Sequence, residues 1–184
     1  MRTRPCSAML IAAFLTITPA LASADDAPVY PQPPKPDFSS MNFLIGTWSC
    51  STRSARRPAA VPSTDTYIID PTGYYLVYES KSDAVPWAPF AIDEKFMITW
   101  DPEIKQWGSV NTSNIGDYGL AMSKGWQDGK LVWHPVNNTP ELDIQSSSDF
   151  TITKVSDTKM TNESSFTTKS GKTVGVTGSC TKSS

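Results

Sequence analysis

From residue 42 onward, apolar and polar residues alternate in short runs rich in Thr, Val, Ile, Tyr, Phe and Trp, and no stretch places apolar residues at helical spacing. Alternation of period two puts one side-chain set on each face of an extended strand, so the pattern predicts an almost all-β domain. The predicted strands span 42–52, 64–70, 74–81, 92–100, 106–112, 118–127, 130–135, 142–153, 159–168 and 172–181. Turn residues separate them, among them Asp70-Pro71-Thr72-Gly73, Asp101-Pro102-Glu103, Asp128-Gly129 and Ser170-Gly171. Links this short make neighbours in sequence neighbours in space. An up-and-down sheet of this size leaves two bare edges, and curling it until the first and last strands meet removes both. The expected fold is an antiparallel up-and-down β-barrel of about 8–10 strands.

In such a barrel each strand offers one apolar set to the inside. The inward sets read as Trp48 and Cys50; Tyr74, Leu76 and Tyr78; Phe96, Ile98 and Trp100; Tyr118, Leu120 and Met122; Leu131 and Trp133; Phe150 and Ile152; Met160 and Phe166; and Val174, Val176 and Cys180. The 106–112 strand gives no clear set. Just before the first strand, residues 38–43 read as one helical turn with Ser39 or Ser40 as its cap.

The segment ahead of this domain changes the picture. Basic residues Arg2 and Arg4, an apolar run over 8–21 and the small-x-small triplet Ala22-Ser23-Ala24 read as a cleaved signal peptide over 1–24. The run is too short for a membrane span, and Thr16, Thr18 and Pro19 interrupt it. Cys6 precedes the run instead of ending it, which speaks against a lipoprotein. Residues 25–37 hold five prolines and read as a polyproline-II linker, leaving 38–184 as the domain. The expected location is periplasmic or secreted.

Formal charge is −2, from 16 basic and 18 acidic residues, and loss of Arg2 and Arg4 with the leader makes it −4. That balance argues against nucleic acid as a partner. Loss of Cys6 leaves Cys50 and Cys180, an even pair in an oxidising compartment and on one face of the sheet, which suggests a disulfide; two buried free thiols are the alternative.

The run Phe43-Leu44-Ile45-Gly46-Thr47-Trp48 resembles the Gly-x-Trp opening strand of the lipocalin-like, or calycin, barrels. Ile98-Thr99-Trp100-Asp101-Pro102, Gln106-Trp107-Gly108 and the 123–133 hairpin are similar to bacterial lipocalin-like domains of unknown function. The resemblance implies that Gly46 and Trp48 close one end of the barrel and that the rest forms a cup for a small apolar or amphipathic molecule. Lipocalins commonly stack a late-strand arginine over that tryptophan, but no arginine follows Arg57; Lys169 or Lys172 are substitutes.

The expected lining of the cup is Tyr74, Tyr78, Phe96, Trp100, Tyr118, Met122 and Trp133, large adaptable surfaces with a few polar handles. A barrel filled by its own side chains uses the same residue types. His134 is the one histidine, so neither a histidine metal cluster nor a Ser-His-Asp triad has material, and parity turns it outward. No paired carboxylates are fixed on one face, so neither catalytic residues nor a cofactor is assigned. Arg53, Arg56 and Arg57, between the first two strands, read either as a solvated loop or as the contact surface of an envelope interaction module with a solid barrel. The Asn-x-Ser/Thr matches at Asn111, Asn137 and Asn162 are common by chance in a Ser/Thr-rich chain.

Overall fold

The computed structural model describes residues 31–86, 91–138 and 144–183, the side chain of residue 138 excepted. The chain divides into a unit spanning Met1–Pro33 and one spanning Pro34–Ser184, and every described strand lies in the second. The leader expected over 1–24 lies outside the described residues, as does the linker up to residue 30; residues 31–37 form no regular element.

Alternation becomes strand almost wherever the sequence shows it. The segments are β1 (Gly46–Ser54), β2 (Val61–Ile69), β3 (Leu76–Ser82), β4 (Asp93–Asp101), β5 (Gln106–Ser113), β6 (Tyr118–Ser123), β7 (Trp126–Gln127), β8 (Lys130–Asn138), β9 (Ile144–Ser147), β10 (Phe150–Ser156), β11 (Lys159–Thr168) and β12 (Thr173–Lys182). Every pairing among them is antiparallel. β1 to β6 follow one another around the wall, β8 continues it, and β10, β11 and β12 bring it back to β1. The ring closes. Two of the predicted strands are interrupted: buried Gly125, at φ +87°, separates β6 from β7, and Ser148-Asp149 separates β9 from β10. β6 with β7 and β9 with β10 each act as one stave, which gives ten staves among the described residues.

The Asp128-Gly129 signal gives the hairpin it predicts, with both residues at positive φ (50° and 76°) between Gln127 and Lys130. The helical turn ahead of β1 is a 3-10 turn, Ser39–Met41. Neither predicted serine caps it; the Asp37 carboxylate accepts from the Ser39 amide at 2.9 Å instead, and those bonds hold the Asp37 pKa below its ordinary value. Cys50 and Cys180 stand opposite each other on β1 and β12 and are joined as a disulfide. No helix among the described residues is long and apolar enough to cross a membrane.

The lumen is packed unevenly. At one end the 3-10 turn tucks under the barrel, and Met41, Leu44, Trp48, Leu76 and Leu131 are fully buried. Rings interlock around them, Phe38 on Trp107 (5.4 Å between centroids), Trp107 on Trp100 (5.4 Å), and Phe43 on both Trp48 (5.3 Å) and Trp126 (5.6 Å). Burial of side chains this large contributes about 1.5–3 kcal/mol each. Toward the other end, beneath the β1–β2 and β11–β12 turns, inward-facing Ser63, Phe96, Asn111, Asn162 and Phe166 are only partly buried.

One inward set is the reverse of the expectation. On β6, Gly119, Ala121 and Ser123 face the lumen, while Tyr118 (54% exposed), Leu120 and Met122 face out. The register fixes this, since Ser123 pairs with buried Trp107 and Met122 with Gly108. The physical reason is that the outer wall is apolar too: Ile68, Val77, Met97, Val110 and Leu120 are successive partners across five strands. Alternation therefore has no polar face to point outward there, and the space opposite the indole of Trp107 selects the small residues.

Candidate functional site

The lumen wall is built from alternate residues of each strand, so its chemistry follows from which set turns inward. Of the seven lining residues expected from sequence, Tyr78 on β3, Phe96 and Trp100 on β4 and Trp133 on β8 face the lumen. Tyr118 and Met122 do not, being on the outer face of β6. Tyr74 lies in the β2–β3 turn at the packed end, where Lys35 stands 5.8 Å from its ring centroid and its carbonyl accepts from the Thr99 hydroxyl at 2.9 Å. Trp100 packs on Trp107 and belongs to the closed end. Tyr78 and Phe96 are thus the expected residues that the structure brings together, their rings 5.0 Å apart.

Beside them stands a residue that sequence reasoning passed over. Asp65, on β2, is 5% exposed and faces the lumen next to Trp48 of β1 and Ser80 of β3. Its Oδ1 accepts from the Ser63 hydroxyl at 2.9 Å and the Ser80 hydroxyl at 2.8 Å, and its Oδ2 from the Tyr78 hydroxyl at 2.9 Å. Three donors give a buried carboxylate much of the solvation that water supplies outside. Tyr67, two residues along β2, packs its ring 4.5 Å from that of Tyr78. Burial, and then the Asp65 charge, hold the Tyr67 hydroxyl far above its ordinary pKa; Tyr78 is raised by burial, by Tyr67 and by Asp65. Both are neutral hydroxyls at ordinary pH. The Cys50–Cys180 sulfurs lie within 4.8 Å of the Asp65 carboxylate, but being bonded to each other they offer no thiolate to a metal ion.

Of two shallow grooves, the first touches this cluster through Ser80 and the second lies apart from it. One, of about 310 Å³, runs over the rim of β3, β4 and β5 and is lined by Ser80 and Glu94 with Lys81, Asp93, Ser113 and Asn114 among others. The other, of about 250 Å³, is on the outer wall beside Lys124, Lys130, Val132 and His134. His134 faces out, as parity requires, and pairs with Asp149 at 2.9 Å. Arg56 stands over the Phe166 ring at 5.7 Å, and Arg53 and Arg57 are exposed.

Trp48, in the opening motif, is fully buried at the packed end. Trp48 Nε1 donates to the Leu44 carbonyl at 2.8 Å, fixing the indole across the end of the barrel. Above it, 5.1 Å from the ring centroid, lies the ammonium of Lys182, which also donates to the Phe43 carbonyl at 3.0 Å. The late-strand cation over the indole is thus Lys182; Lys169 and Lys172 lie at or beside the β11–β12 turn, at the opposite end. Gly46 is needed beneath it, since its φ is +123° and an added Cβ would meet Lys182 Cε at 2.9 Å. The fold is a closed antiparallel barrel of ten staves among the described residues.

No protein-family model matches the chain, and no curated protein does. Among solved structures it is similar to EF1p2_mFAP2b bound to DFHBI, at 11% identity and a TM-score of 0.39 over 78% of this chain and 97% of that one. It is similar also to the S-type phycobiliprotein lyase CPES from Guillardia theta, at 8% identity and a TM-score of 0.44, covering 78% and 90%. A third is a protein of unknown function from the DUF3598 family of Nostoc punctiforme, at 11% identity and a TM-score of 0.38; the match covers 78% of this chain and 48% of that one.

Proposed function

We propose that the protein is an exported, non-enzymatic container for a small apolar or amphipathic molecule, held in the half of the lumen away from Trp48. The observation that carries this reading is the partial burial of inward-facing Ser63, Tyr78, Phe96, Asn162 and Phe166, in a barrel whose other end fully buries Met41, Leu44, Trp48, Leu76 and Leu131. A wall of rings beside a few fixed hydroxyls is the composition of a ligand site. Tyr78 and Phe96 supply the apolar face, and Ser63 and Asn162 supply hydrogen-bonding groups.

Export is the companion proposal: cleavage after Ala24, a linker to residue 37 and the domain over 38–184. Disulfide pairing of Cys50 with Cys180 supports it, because such bonds persist in oxidising compartments. The test is a fluorescence titration of the six tryptophans with dodecanol, palmitate, a naphthoquinone and a porphyrin. A saturable change with at least one of them is expected, and silence across the panel contradicts the reading.

A further inference from the structure

We infer that the lumen is selective for an organic cation, an amphipathic molecule with an ammonium head, seated between the Asp65 carboxylate and the rings of Tyr67, Tyr78 and Phe96. The inference rests on the reading of the lumen as a small-molecule site and names the class of molecule it takes.

Charge comes first. Asp65 is nearly fully buried, accepts three hydroxyl hydrogen bonds, and takes part in none of the described ion pairs. Buried carboxylates in proteins are usually paired with a cation as well as hydrogen-bonded. The cations nearest the lumen are engaged at its two ends: Lys182 over Trp48, Lys154 over Phe43, and Arg56 over Phe166. The neighbours facing Asp65 across the sheet are Trp48 of β1 and Ser80 of β3, and the next strand turns Glu94 toward the same side, opposite Ser80. The Asp65 charge disfavours a carboxylate head and favours an ammonium.

A second observation is independent of the first. Tyr67 is 5% exposed and its hydroxyl makes no hydrogen bond among the described residues, but its oxygen is not sealed off, since the fully buried side-chain atom without a partner among them is Trp126 Nε1. A hydroxyl oxygen that keeps accessible surface beside a lumen carboxylate is open to a donor from a bound molecule. An ammonium has three N–H donors, and the Asp65 carboxylate and Tyr67 oxygen are two acceptors for them. The third observation is the run of rings, Tyr67 on Tyr78 at 4.5 Å and Tyr78 on Phe96 at 5.0 Å. Aromatic faces next to a carboxylate attract organic cations through the ring quadrupole while tolerating their alkyl substituents. Ser80, which donates to Asp65, and Glu94 also line the rim groove.

The experiment compares dodecylamine, dodecanoate and dodecanol, which share a tail, at neutral pH below their micellar concentrations, with tryptophan fluorescence as the readout. Dodecylamine is expected to bind at least about tenfold more tightly than dodecanoate. The preference should disappear in Asp65→Asn and fall several-fold in Tyr67→Phe, which removes one oxygen and keeps the ring. Should Asp65→Asn fail to fold, Tyr67→Phe and suppression of the amine preference by salt decide the matter. Dodecanoate binding as tightly as dodecylamine, or an amine preference unchanged in the variants, overturns the inference while leaving the container intact. If none of the three binds, the container reading falls with it.

Discussion

The Trp48 end of the lumen and the end beneath the β1–β2 and β11–β12 turns share the same strands and differ in what fills them. Around Trp48, a 3-10 turn, two tryptophans packed edge to face and a lysine cap leave Met41, Leu44, Trp48, Leu76 and Leu131 fully buried. At the other end Ser54, Val61, Thr168 and Val174 are buried at the rim, but Ser63, Phe96, Asn111, Asn162 and Phe166 keep part of their surface exposed, and the Asp65 cluster lies between the two regimes. The difference shows how one closed sheet separates labour: stability is concentrated where large rings interlock, and the partly exposed half is left free to carry polar groups that a solid core would exclude.

The largest effects should come from attacking the packed end. Trp48→Ala is expected to destabilise the fold by about 3–5 kcal/mol, through lost burial and a cavity that the rigid staves cannot collapse. Val176→Ala, at a partly buried inward position of the other half, should cost about 1 kcal/mol or less. Urea denaturation of the two variants checks this, and equal losses would erase the distinction. Removing the disulfide as Cys50→Ser with Cys180→Ser releases a loop with a sequence separation of 130 residues, and a loss of about 2–4 kcal/mol is expected, read from the same denaturation curves.

Alkaline pH probes the boundary between the halves. The Tyr67 and Tyr78 hydroxyls have pKa values raised by burial above the ordinary 10.0, with the charges of Asp65 and, for Tyr78, Glu94 adding to the shift. Below pH 10 they are protonated in the folded and unfolded chain alike, and their contribution is fully present. Above it the unfolded tyrosines ionise while the folded ones keep their protons, so stability falls by about 1.4 kcal/mol per pH unit for each. Urea midpoints followed upward from pH 9 should show that slope, reduced by roughly half in Tyr67→Phe.

Two glycines at positive φ sharpen the comparison with the smallest effects. Gly46→Ala combines backbone strain with a collision against Lys182, whereas an added Cβ at Gly171, at φ +83° in the β11–β12 turn, meets open space. The first should cost about 2 kcal/mol and the second about 1, by thermal or urea unfolding.

Much of this barrel is legible in the chain. The strand 159–168 is found as predicted, 118–127 and 142–153 are each broken in two, the others shift by a few residues at their ends, and the meeting of Cys50 with Cys180 follows from parity and count. Legibility fails where alternation carries no contrast. On β6 both faces are apolar, so Tyr118 and Met122 read as lumen residues although Gly119, Ala121 and Ser123 fill that place. Asp65 is hidden for a related reason: a carboxylate between Thr64 and Thr66 reads as a solvated strand position, and two of its donors, Tyr78 and Ser80, come from the next strand, across the β2–β3 turn. Lys182 is missed because it follows the last predicted strand, and its role depends on the 3-10 turn bringing the Phe43 carbonyl within reach.

Whether a small molecule enters the partly exposed half is tested most directly by NMR chemical-shift mapping of the labelled protein with saturating dodecanol. The account predicts perturbations centred on Ser63, Tyr78, Phe96 and Asn162, with Met41 and Leu44 unmoved. Perturbations confined to Ile68, Met97 and Val110 on the outer wall, with the lumen residues silent, would contradict it.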